Sequence, residues 1–175
     1  MSNGHAVIDP TDIVVRARSE ASRLASVLRW RPAFAGASPD APRLVKRLDQ
    51  IDQYYYIVTF SVSERVTARL RMNAHTGNYS EGIGVDKITG ELPPYQTPEQ
   101  THERIARMVS AERKKKRKKG PPVPAISIEP RLVWKPCAQS LSAFLPFYLI
   151  TVDRSVRYAR VDGEIYDELT FGAGL

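Results

Sequence analysis

The stretch Tyr54 to Met72, YYYIVTFSVSERVTARLRM, decides the fold. Tyr54, Tyr56, Val58, Phe60 and Val62 fall on one side of an extended chain, and Val66, Ala68, Leu70 and Met72 do so again after Ser63-Glu64. Side chains alternate faces along a strand, so this pattern predicts two antiparallel strands joined by a tight turn. Arg65, Thr67, Arg69 and Arg71 occupy the other side of the second strand, which predicts one wet face there. Three consecutive tyrosines leave Tyr55 opposite Tyr54 and Tyr56, either exposed or covered by a neighbour.

Working outward, Asn73 to Asn78 supplies the next turn, with Gly77 suited to positive φ, and Tyr79 to Val85 predicts a returning strand. Upstream, Asp9 is placed to cap a helix that has Pro10 at its first position. Ile13, Ala17, Ala21, Leu24 and Leu28 recur at helical spacing, which carries the helix to about Trp30. Arg31 to Pro42 reads as loop, and Leu44 to Leu48 fits a short strand or a helical turn equally.

Gly90 to Thr97 contains Pro93-Pro94, and consecutive prolines resist both helix and central strand, so this is the expected domain boundary. Beyond it the plan returns. Thr97 and Gln100 have capping-box spacing, and Ile105, Met108 and Val109 form the stripe of a second helix that runs into a lysine tract. Ile126 to Trp134, FYLITVD, SVRYARVD and Glu164 to Phe171 read as strands, with Asp162-Gly163 as a type I′-compatible turn. The expected fold class is α+β: two helix-plus-antiparallel-sheet units, 1–92 and 97–175. They are either a tandem duplication or two dissimilar units sharing generic helix and hairpin chemistry.

The alternating strand and turn at Asn73, Thr76, Gly77 and Asn78, echoed at Asp162, Gly163 and Glu164, resemble the PepSY domain. Members carry one helix on an antiparallel sheet and an Asp-x-x-Thr-Gly-Glu-like final turn; Asn73 and Asn78 stand here where that family has acidic residues. The resemblance implies a non-catalytic module that acts by protein binding or peptidase restraint.

Composition narrows the function classes. With 42% hydrophobic residues in 175, the chain can bury a core, and it has no apolar run near the roughly 20 residues of a membrane-spanning helix. The polar start lacks the layout of a secretory signal, so the expected location is the cytoplasm. The net charge of +7 is local: Arg113, Lys114, Lys115, Lys116, Arg117, Lys118 and Lys119 account for seven of 26 basic residues, and the rest match 19 acidic ones. Such a tract suits nucleic acid or another polyanion through phosphate contacts, without sequence readout.

Catalytic patterns are sparse. Cys137 is the single cysteine and has only His5, His75 and His102 as candidate bases, none in a recognisable hydrolase context. Asp153, Asp162, Glu164, Asp167 and Glu168 read as hairpin and solvent-face acids, and Gly82-Ile83-Gly84 lacks the third glycine and following helix of a phosphate loop. No residue is assigned to catalysis, metal or a cofactor. The expectation is a non-enzymatic interaction module that binds a protein partner or self-associates through sheet edges and an aromatic surface, with Tyr55, Phe144, Phe147 and Tyr148 as contacts. The alternative is a polyanion-binding accessory protein that uses the 113–119 tract.

Overall fold

Helix α1, Pro10–Ala25, opens where Asp9 accepts a hydrogen bond from the Thr11 amide at 2.8 Å, one of the donors that a helix start leaves unpaired. These features belong to a computed structural model that describes residues 6–115, 125–170 and 172. The protein is α+β and sheet-dominated, and it divides into two compact units, Met1–Pro94 and Tyr95–Leu175.

In the first unit, strands β1 (Ser38–Pro39), β2 (Arg43–Arg47), β3 (Tyr54–Val62), β4 (Arg65–Asn73) and β5 (Tyr79–Gly84) pair antiparallel in the order β5-β4-β3-β2, with β1 beside the far end of β3. The Leu44 to Leu48 stretch is thus strand as far as Arg47. The alternation in Tyr54 to Met72 becomes the β3–β4 ladder: Tyr56 faces Met72, Val58 faces Leu70 and Phe60 faces Ala68. Ile13, Ala17, Ala21 and Leu24 of α1 pack on that face with Tyr56, Val58, Phe60, Leu70 and Met72 to form one apolar core.

The helix ends earlier than its stripe predicts. Ser26 folds its hydroxyl onto the Arg23 carbonyl at 2.7 Å and Val27 is extended, so Leu28 is left 77% exposed. The chain then turns through Leu28–Trp30 into a short helix α2, Arg31–Phe34, in the stretch read as loop. This break swings Phe34 edge-on against Phe60, with ring centroids 5.1 Å apart.

The expected wet face of β4 is a second correction. Thr67 and Arg69 are buried, because the segment leading out of the unit is tied down beside β4. The Arg65 guanidinium donates to the Ile88 carbonyl at 2.7 Å, that of Arg69 donates to the Pro93 carbonyl, and the Leu92 amide donates to Val66 O at 2.8 Å. Arginines on a strand face can therefore hold backbone carbonyls as well as water.

In the second unit, helix α3 spans Pro98–Lys115, and its capping box is reciprocal: the Thr97 amide donates to Gln100 Oε1 at 2.9 Å and the Gln100 amide to Thr97 Oγ1 at 3.2 Å. Ile105 and Val109 are buried along it. Strands β6 (Ile126–Trp134), β7 (Phe147–Val152), β8 (Ser155–Arg160) and β9 (Ile165–Tyr166) pair antiparallel in that order, with the β6–β7 register shifting between Ile128 and Leu132.

Two details differ from expectation. The closing strand spans Ile165–Tyr166, and Phe171, to which it was expected to run, lies outside the described residues; past the strand the Thr170 amide donates to Gln139 Oε1 at 3.0 Å. Only Gly163 has positive φ at the preceding turn, whereas type I′ geometry requires it at both central residues; the Asp162 carboxylate is instead held by Arg160.

Candidate functional site

The aromatic residues expected at a partner surface are interior. Tyr55 is 5% exposed and lies under the Arg71 guanidinium, which sits 5.5 Å from its ring centroid. Phe147 is fully buried and meets Tyr158 and Tyr166 edge-on, while the Tyr148 hydroxyl donates to Gln96 O at 3.0 Å. Phe144 is buried in the loop before β7, with its carbonyl accepting from the Tyr95 hydroxyl. Alternation along β7 sends Phe147 and Tyr148 to opposite faces, and both faces are covered at these two positions. None of the four aromatic side chains expected as contacts lies at the surface.

Arg113 pairs with Asp153, a carboxylate that also accepts the Ala125 amide at 3.2 Å. The Arg113 hydrogen bond, followed by that of Ala125, holds the Asp153 carboxyl below its ordinary value. This commits Arg113 to the fold. Lys114 is exposed near the helix end, while Lys116, Arg117, Lys118 and Lys119 lie outside the described residues.

Other charged side chains of the second unit are held in separate small clusters. Arg157 bridges Glu112 at 3.3 Å and Asp167 at 3.0 Å, and Arg160 holds Asp162 at 2.9 Å. Burial raises the Asp162 carboxyl, but the hydrogen bond and charge of Arg160 outweigh it and leave the net value lowered. Cys137 is fully buried. His75 Nε2 lies 3.0 Å from Asp52 O, and His102 is exposed on α3. Among the described residues, no group of three His, Cys, Asp or Glu side chains converges as a metal site would require.

The first unit's sheet ends at the outer side of β5. The inner edge of this strand pairs with β4 (Gly84 with Ala68, Ile83 with Arg69, Gly82 with Leu70, Glu81 with Arg71, Tyr79 with Met72), leaving Ser80 as the extra residue of a bulge. No strand pairs with its outer edge among the described residues. Glu81 makes a cross-strand ion pair to Arg71 at 3.1 Å, which fixes the strand from one face.

Trp30 fixes it from the other. Its ring lies where a Cβ on Gly82 or Gly84 would be, at 3.3 Å and 2.9 Å respectively. Reading Gly82-Ile83-Gly84 only as a failed phosphate loop misses this role; the usable signal is alternate glycines within a strand, which mark a close approach to one face. No family model, curated protein or solved structure matches the chain. No helix among the described residues is long and apolar enough to cross a membrane.

Proposed function

We propose that this chain is a non-enzymatic protein-interaction module that captures an extended segment of a partner protein by strand addition at β5. The observation that carries this reading is the six-residue edge at Tyr79–Gly84, paired on one side only and braced by Trp30 and by the Arg71–Glu81 pair. Strand addition uses main-chain hydrogen bonds for affinity and alternating side chains for specificity. Each bond contributes about 0.5–1.5 kcal/mol net, so a few of them with side-chain contacts give a reversible complex. Bracing matters because an edge already held in shape has less conformational entropy to lose on binding.

The PepSY resemblance points toward binding as well. So does the recurrence, in the same order, of helix openings at Pro10 and Pro98, two-residue turns at Ser63-Glu64 and Asp153-Arg154, and glycines at Gly77 and Gly163. That recurrence supports a tandem duplication of a scaffold unit. Polyanion binding through the 113–119 tract is the secondary reading, and the Arg113–Asp153 pair removes one cation from it.

Affinity purification from the native cell, with and without nuclease, separates the two readings. A partner retained after nuclease and lost on Ser80→Lys with Ile83→Lys supports strand addition, since lysines on an edge oppose pairing. A partner released by nuclease and insensitive to those lysines supports the polyanion reading.

A further inference from the structure

The two faces of β5 are chemically unlike. Gly82 and Gly84 pair with Leu70 and Ala68 and so belong to the core face, where neither has a side chain and the Trp30 ring lies within 3.3 Å and 2.9 Å of the points a Cβ would take. Residues directly opposite across a ladder have Cβ atoms about 4.5–5.5 Å apart, so a side chain on an added strand opposite either glycine meets no β5 side chain and reaches the indole. A large apolar residue gains most there, because it covers backbone that a glycine leaves bare. The Arg29 guanidinium, 5.6 Å from the Trp30 ring centroid, opposes a second cation on this face.

Glu81 and Ile83 pair with Arg71 and Arg69 and belong to the other face. Glu81 meets the Arg71 Nε through Oε1 alone, and its side chain remains 44% exposed. Its second oxygen, Oε2, holds no ion pair or hydrogen bond among the described residues. A Lys or Arg opposite Glu81 can take that oxygen, whereas an Asp or Glu there is a like charge directly across the ladder, which destabilises a strand pair. We propose that the segment added at β5 alternates large apolar residues, laid over Gly82 and Gly84, with basic ones set against Glu81. This rests on the strand-addition reading and names the chemistry of its partner. Because faces alternate residue by residue, one such pattern suits both, and a one-residue slip carries the cations to Arg29 and spoils both at once.

The test titrates the full chain, at about 0.15 M salt, with a short peptide alternating Val with Lys and with its counterpart alternating Val with Glu, reading amide exchange at Tyr79–Gly84. The Lys peptide should slow those amides and bind about fivefold more tightly than the Glu peptide. The chain's net charge is +7, so long-range attraction alone would favour the Glu peptide instead. Glu81→Gln should abolish the Lys preference while leaving the thermal midpoint close to that of the unaltered chain. A peptide alternating Ser with Lys should bind about tenfold more weakly than the Val and Lys one, since nothing apolar then covers the glycines. If Glu81→Gln does not fold, the peptide comparisons on the unaltered chain decide the matter. Equal affinity of the Lys and Glu peptides at β5, or a Lys preference that survives Glu81→Gln, overturns the proposed pattern and leaves strand addition standing. If neither Val peptide slows the β5 amides at millimolar concentration, the pattern and strand addition fall together.

Discussion

The Trp30 ring lies against Gly84 so closely that a Cβ there would come within 2.9 Å of the indole, and Ala33 stands 2.7 Å from the same point. Two side chains of the Leu28–Phe34 segment thus converge on one glycine. Gly84→Val should destabilise the protein by about 1–3 kcal/mol, as overpacking generally does. Urea unfolding followed by tryptophan fluorescence reads both the loss and the altered setting of Trp30. Alanine at Gly36, where nothing lies within 4 Å, should cost only the strain of its positive φ.

The Ser63-Glu64 turn has φ of 48° and 71°, a conformation that neither residue favours. A two-residue hairpin turn with both φ positive is best served by Asn-Gly. Ser63→Asn with Glu64→Gly should therefore raise stability by about 0.5–1 kcal/mol, net of the glycine's added unfolded-state freedom. The shift in denaturant midpoint measures it directly.

Because Phe147 is buried against Tyr158 and Tyr166, its truncation should be felt in folding and not in recognition. Phe147→Ala should cost about 3–5 kcal/mol. A partner-binding assay under conditions where the variant remains folded should show wild-type affinity. Selective loss of binding with unchanged stability would return Phe147 to a contact surface.

Arg160 is buried and holds Asp162, whose carboxyl is lowered on balance. A depressed folded value means the unfolded state takes up protons first as the pH falls, so the pair stabilises above about pH 4 and the contribution fades as pH falls through the folded value. Asp162→Asn should lower stability at pH 7 by about 1 kcal/mol, after discounting for the partial exposure of the carboxylate. It should also flatten stability between pH 5 and 3, a window set by the ordinary carboxylate value of about 3.9. Urea midpoints at both pH values for the two proteins check the sign.

What could be read in advance was local. Asp9-Pro10 and Thr97 with Gln100 carry their own capping partners, and the alternation from Tyr54 to Met72 carries its own register, so those elements declare themselves without tertiary information. The covering of Arg69 depended on the Pro93 carbonyl, and backbone carbonyls have no sequence signature. Leu28 continued the helical stripe numerically, but the chain had already been turned at Ser26 and Val27 to bring Phe34 onto Phe60. Phe144, Phe147 and Tyr148 belong with these: an aromatic run beside a proline reads alike whether the surfaces it points to are covered or open. Their covering is tertiary, and the local pattern leaves it unstated.

Amide hydrogen exchange across β5, with the co-purified partner bound and after its removal, tests strand addition most directly. The account predicts that amides within Tyr79–Gly84 slow by about tenfold or more in the complex, because a paired edge must open before it exchanges. The Ser80→Lys, Ile83→Lys variant, with an unchanged thermal midpoint, should show no such slowing. Protection falling instead on other elements, with β5 exchanging at its free rate in the complex, would contradict it.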